Sequence, residues 1–275
     1  MGSGLARFHD AFKLPVFVLA LFTAVLLQIL SNLANDLGDH QHGADSNDRI
    51  GPQRAVQSGA ISPAAMKRAM VVCGLLAFIC GCALIITAFG FSITMLAFLA
   101  LGIAAIAAAV KYTFGKNPYG YAGLGDLSVF VFFGIVGVAG TYYLHTSKLV
   151  PQVVWPAIAI GSLSVGVLNL NNMRDITNDA RHGKRTLPVR MGLHWAKTYH
   201  VMLIILAFIG FGQFTISDHR SLIQYSYVIG FPMLFMQAVR VHKTIVAEML
   251  DPELKRLAIL TFFTAITFSL GLTLA

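Results

Sequence analysis

Charge is what this 275-residue chain has least of: Asp, Glu, Lys and Arg make up 12% of it, against 56% hydrophobic residues. A soluble domain carries roughly 25% charged residues, so most of this surface is not built to face water. Cysteine is also scarce. Cys73, Cys80 and Cys82 share one apolar segment without a metal-ligand spacing, which excludes a thiolate metal centre and leaves them as small buried or lipid-facing residues. The ten-residue alternation of a membrane barrel is missing too, so any spanning segment must be helical. The first apolar run continues past Leu30 into Asn and Asp rather than a small-residue cleavage site, which makes it a spanning helix and not a signal peptide.

Long apolar runs are abundant. Their lengths suit a hydrocarbon core of about 30 Å, and they predict eight spans, near 12–36, 63–88, 91–112, 124–145, 151–174, 193–213, 221–241 and 254–275. The fold class is therefore all-α, a polytopic bundle in the lipid bilayer, with no nucleic-acid partner expected. Of the 20 Lys and Arg, all but Arg7, Lys13, Lys148 and Arg220 fall in or beside the loops 37–62, 113–123, 175–192 and 242–253. That asymmetry predicts that these loops face the cytoplasm and that both chain ends lie outside. Retention of loops and contact with anionic lipid account for part of the net charge of +8.

The few acids are not scattered. Seven of the 12 fall at Asp36, Asp39, Asp45 and Asp48, at Asp126, and at Asp175 and Asp179. Sliding the chain by 136 residues lays 35–54 on 171–190 and matches Asn35 with Asn171, Asp39 with Asp175, Ala44 with Ala180, Arg49 with Arg185, Pro52 with Pro188 and Arg54 with Arg190. This weak internal repeat, within a single membrane domain over 1–275, makes the two clusters halves of one expected site.

Asp36 and Asp39 are spaced i, i+3, and Asp175 and Asp179 i, i+4, so each pair is expected on one face of a helical turn. Carboxylate and amide oxygens suit Mg²⁺, which keeps several waters and completes its shell with phosphate. Helix-end polarity is the plainer reading of one such cluster; two related clusters weaken it. Arg49, Arg54, Lys184, Arg185 and Arg190 follow the acids closely, and Arg forks or Lys ammonium groups can neutralise a departing diphosphate. Retention of cytoplasmic loops is the alternative. Asp126 opens a span, either as a helix cap or as acceptor of a phenolic proton. Intramembrane acids also suit a cation-coupled transporter, which would place them near mid-membrane on broken helices.

Three stretches resemble the UbiA-type intramembrane aromatic prenyltransferases, in particular those of menaquinone synthesis. They are Gln28 to Asp39 with Gly43-Ala44-Asp45 and Arg49 to Gly59; Pro118-Tyr119-Gly120-Tyr121 with Gly123-Leu124-Gly125-Asp126; and Asn171 to Asp175 through Gly183 to Leu187. The resemblance implies a bundle around a membrane cavity capped by cytoplasmic loops, in a bacterial inner membrane. It further implies transfer of a polyprenyl group from polyprenyl diphosphate to 1,4-dihydroxy-2-naphthoate, with loss of CO₂ and diphosphate. Mg²⁺ would be held by Asp36, Asp39, Asp45, Asp175 and Asp179. Substrate would be bound by Asn32, Asn35, Lys116, Asn171, Asn172 and Arg185, and Asp126, Lys184, Arg49, Arg54 and Tyr112 would serve the reaction. Tyr112, Tyr119, Tyr121, Phe130, Phe132 and Phe133 are candidate shields for an allylic cation, with core packing the plainer role for each. A different aromatic acceptor such as 4-hydroxybenzoate remains open. Family members usually carry one more spanning helix before the one that reaches the first Asp motif, so the resemblance implies nine spans against eight here.

Overall fold

A computed structural model describes residues 1–43 and 54–275. Asp45, Asp48 and Arg49 lie outside the described residues. No strand occurs among the described residues. A short helix α1 (Gly2–Phe8) precedes α2 (Leu14–Gln41), α3 (Pro63–Phe89), α4 (Ile93–Lys111), α5 (Gly125–Thr146) and α6 (Pro151–Arg174). Then come a short α7 (Ile176–Arg181) and three long helices, α8 (Leu187–Ser217), α9 (Leu222–Lys243) and α10 (Ala247–Thr273). Among these, eight are long and apolar enough to cross a membrane, matching the eight expected spans. Local chemistry sets several starts: the Ser62 and Ser92 hydroxyls accept from the backbone N–H of Ala65 and Met95, both at 3.2 Å, and Pro63 sits at a position whose N–H has no intrahelical partner.

One boundary and one helical pairing depart from expectation. The first span does not stop at residue 36 but runs on to Gln41, so Asn35, Asp36 and Asp39 are on the helix itself. α6 ends at Arg174, the expected boundary, where Asp175 leaves the helix (φ −92°, ψ 10°) before α7 starts at Ile176. Asp175 and Asp179 therefore do not share a continuous helical turn, although their spacing allowed one.

Contacts divide the chain into two compact units. The three-span unit, residues 13–125 and 177–186, packs α2, α3 and α4 around Leu30, Ala34, Leu37, Met66 and Met70. Its helices turn large apolar residues such as Leu21, Phe22, Val71 and Ile79 outward, as a hydrocarbon solvent permits.

The five-span unit, residues 1–12, 126–176 and 187–275, holds α5, α6, α8, α9 and α10. An aromatic core of Phe211, Phe214, Tyr227 and Phe268 sits inside it, with the ring centroids of Phe211 and Phe268 4.8 Å apart. Without water to drive burial, close backbone approach does much of the packing. A Cβ on Gly134 would stand 2.6 Å from the Ala157 carbonyl oxygen and 2.9 Å from Gly161 Cα, so these glycines let α5 and α6 cross tightly.

The unforeseen element is α1, too short to span. Its Leu5 and Ala6 are fully buried, and its end is latched by His9, whose Nε2 lies 2.8 Å from Asp218 Oδ2 and whose Nδ1 lies 2.8 Å from the Tyr142 hydroxyl. The Arg220 guanidinium lies 3.8 Å from the centre of the Phe8 ring.

Candidate active site

In the three-span unit the first acidic motif occupies the last two turns of α2. The loop after α4 folds back on it: Thr113 donates to Asn35 Oδ1 at 2.8 Å and to the Ala34 carbonyl at 3.1 Å. This approach depends on Gly38, where a Cβ would meet the Thr113 carbonyl oxygen at 2.5 Å and its carbon at 2.6 Å. Tyr112 and Tyr119 meet edge to face, 5.4 Å between centroids, and Tyr119 donates to the Ala108 carbonyl at 2.9 Å. The result is a loop that presents Tyr121 to Asp39, with the phenol donating to Oδ1 at 2.9 Å.

Asp39 is the centre of this half. It is buried, and its second oxygen takes the Arg54 guanidinium at 2.6 Å. Asp36 accepts the backbone N–H groups of Ala55 and Val56 at 3.1 and 3.3 Å. These bonds anchor the returning loop to α2 and so help position Arg54.

Residues 177–186 bring part of the second motif into the same unit. Arg185 donates its backbone N–H to the Tyr121 carbonyl at 2.9 Å. Lys184 lies 5.5 Å from the Tyr121 ring centre and 3.5 Å from Asp179 Oδ1, with both charged groups buried. One tyrosine thus links Asp39 to Lys184. Lys116 and Asn32 do not join this group: both are exposed, and the Asn32 oxygen faces Gln28 on its own helix at 3.4 Å.

In the five-span unit, Asp175 ends α6 beside the buried guanidinium of Arg174. Arg174 donates from Nε to Asp175 Oδ1 at 2.8 Å, from Nη2 to Asp175 Oδ2 at 2.7 Å and to Asn171 Oδ1 at 2.9 Å, and from Nη1 to Asp251 Oδ1 at 2.6 Å. Asn172 is buried on the same turn. Neither Arg174 as a clamp nor Asp251 was foreseen, because 77 residues separate the two in the chain.

Asp126 sits in the first turn of α5, buried, with Oδ1 lacking any hydrogen-bond partner. The phenol of Tyr199 on α8 lies beside this carboxylate. A buried oxygen left without a donor costs free energy, about 1–3 kcal/mol, unless a ligand or water supplies one. Phe130, by contrast, packs against Gly161, the plainer of its two expected roles.

These donors are hard oxygens, the set that Mg²⁺ prefers. Among the described residues no three His, Cys, Asp or Glu side chains converge into a preformed cage. The set fits an ion that draws the rest of its shell from water and phosphate. A carboxylate offers about four lone-pair directions, so an Arg fork on Asp175 leaves others available.

The model of the UbiA prenyltransferase family matches residues 1–272. The chain belongs to the UbiA prenyltransferase family. Among curated UbiA relatives, the 1,4-dihydroxy-2-naphthoate octaprenyltransferase of Haemophilus influenzae is 44% identical, the match covering 94% of this chain and 83% of the relative. The enzyme of the same name from Escherichia coli K12 is 42% identical over all of this chain and 89% of its own length. Among solved structures, a UbiA homologue from Archaeoglobus fulgidus, bound to DMAPP and Mg²⁺, superposes with a TM-score of 0.59 at 14% identity, covering 98% of this chain and 93% of that one. At that identity the likeness speaks for the fold, an integral membrane bundle.

Proposed function

We propose that the protein transfers a polyprenyl group from a polyprenyl diphosphate to 1,4-dihydroxy-2-naphthoate, releasing diphosphate and CO₂ and giving the prenylated quinol, the reduced form of demethylmenaquinone. The observation that carries this reading is the likeness to two naphthoate octaprenyltransferases over nearly all of this chain, joined to buried carboxylates that already face Arg and Lys. On the family pattern, Asp36, Asp39, Asp45, Asp175 and Asp179, with the amide oxygens of Asn35 and Asn171, would hold Mg²⁺. Bound there, Mg²⁺ supplies charge that favours departure of diphosphate.

The chain's own residues do the rest. Lys184, Arg54, Arg49 and Arg185 neutralise the diphosphate oxygens that take the electron pair of the breaking C–O bond. Tyr112 and Tyr121 offer ring faces to the allylic cation left behind. Asp126 Oδ1 takes the hydroxyl proton of the acceptor, which raises electron density in its ring. The ring carbon bearing the carboxylate forms the new C–C bond, CO₂ leaves with its bonding pair returned to the ring, and Asp126 returns the proton to oxygen. The acidic loops face the cytoplasm on the basic-residue asymmetry, in the bacterial inner membrane.

Acceptor choice tests the reading. Purified protein supplied with Mg²⁺, octaprenyl diphosphate and equal dihydroxynaphthoate and 4-hydroxybenzoate is expected to prenylate the naphthoate almost exclusively. Equal or preferred use of hydroxybenzoate would refute it.

A further inference from the structure

Arg174 places a full positive charge on both oxygens of Asp175, at 2.7 and 2.8 Å. Alone, that fork would neutralise the carboxylate and oppose any cation brought to it. The guanidinium is not alone with Asp175, however. Its Nη1 donates at 2.6 Å to Asp251, a half-exposed residue that opens the α-helical part of α10, Asp251–Thr273. The three charges sum to one negative, and four hydrogen bonds that include Asn171 hold the guanidinium in place.

We infer that Asp251 is a positioning residue for the second acidic motif: by sharing and orienting the Arg174 charge, it leaves the cluster around Asp175 with a net negative charge toward a divalent cation. This rests on the proposed Mg²⁺–diphosphate reading. The geometry gives Asp251 two effects on Asp175. Electrostatically, it cancels the guanidinium charge that Asp175 feels, an interaction carried across a few ångströms of partly desolvated space. Sterically, the Nη1 anchor fixes the guanidinium edge, so Arg174 occupies only one side of the Asp175 carboxylate and leaves its other lone pairs open. Asp251 need not touch substrate or metal for either effect.

The test is equilibrium binding without turnover, with Mn²⁺ as the spectroscopic probe and inorganic diphosphate as the anion, read by electron paramagnetic resonance on purified protein. Asp251→Asn keeps the side chain's size and its helix-start character while removing the charge. It is expected to weaken Mn²⁺ binding about fivefold, the range of a half-exposed ion pair acting at short distance, and Asp251→Glu is expected to restore most of the loss. In an Arg174→Gln background, Asp251→Asn is expected to change affinity less than twofold, because its effect passes through the guanidinium. An equal loss in both backgrounds, or no loss in the native background, would overturn the inference while leaving the metal reading intact. Native protein that fails to bind Mn²⁺ with diphosphate would sink the metal reading and this inference together. If Asp251→Asn lowers thermal stability, the background comparison still separates a positioning role, which vanishes without Arg174, from general loosening, which persists and counts against it.

Discussion

Gly38→Ala puts a single methyl group where the fold has no room. Two energies compete. Alanine in a helix interior is favoured over glycine by up to about 1 kcal/mol. Against that, the new Cβ would stand 2.5 Å from the Thr113 carbonyl oxygen and 2.6 Å from its carbon. Those atoms are backbone and cannot rotate away, so the loop must lift from α2, and overpacking of this kind costs about 1–3 kcal/mol. Lifting the loop also strains the Thr113 bonds to Ala34 and Asn35, at 3.1 and 2.8 Å. The clash wins: net destabilisation of about 1–2 kcal/mol is expected, which shifts the unfolding midpoint down by roughly 5 °C. Because the same loop presents Tyr121 to Asp39 at 2.9 Å, kcat/KM should fall with it, roughly tenfold. Gly102→Ala is the control, since nothing lies within 4 Å of its added Cβ, and it should leave both quantities unchanged or slightly improved. The measurements are thermal unfolding in detergent and prenyl-transfer rate on the same preparations. A Gly38→Ala protein as stable and active as the native one would refute the claim that the loop's close approach builds this half of the site.

Three further outcomes are expected. Asp126→Asn should lower kcat with the hydroxylated acceptor by about 10²- to 10³-fold while leaving KM for the prenyl diphosphate near its native value; a matching rise in that KM would place Asp126 with the diphosphate instead. Tyr121→Phe removes the 2.9 Å bond to Asp39 but keeps the ring near Lys184, so transition-state stabilisation should drop by about 1–2 kcal/mol with little loss of fold, as rate and unfolding measurements can check. His9→Ala severs both 2.8 Å contacts of the α1 latch, and about 1–2 kcal/mol of stability should go with them. Its rate should be unaffected, because Tyr142 and Asp126 sit toward opposite ends of α5, about 20 Å apart along the helix.

What the residues disclosed in advance, and what they hid, follows from the reach of each interaction. Spans are declared by twenty consecutive apolar side chains, a purely local signal, so all eight were legible. The pairing of Asp36 with Asp39 was legible for the same reason, as helical spacing. Their division of labour was not: whether a carboxylate meets Arg54 or two loop N–H groups depends on how residues 54–62 return to α2. The end of the span at residue 174 was legible too, but that Asp175 and Asp179 do not share a helical turn was hidden, because no proline or glycine lies between them. Tyr121 reaches Asp39 across 82 residues, and Asp251 reaches Arg174 across 77, separations at which linear spacing carries no information. Helix α1 escaped because seven residues are too few to register as a span, while their burial depends on partners at the far end of the chain.

One measurement weighs on the whole account: prenyl-transfer turnover by purified protein given octaprenyl diphosphate and dihydroxynaphthoate, with Mg²⁺ present or chelated, for the native chain, Asp39→Ala and Asp175→Ala. Prenylated quinol should form only in the native protein with Mg²⁺, and each alanine variant should lose at least about 10²-fold in rate. Undiminished turnover in both variants, or in the chelated native protein, would contradict it.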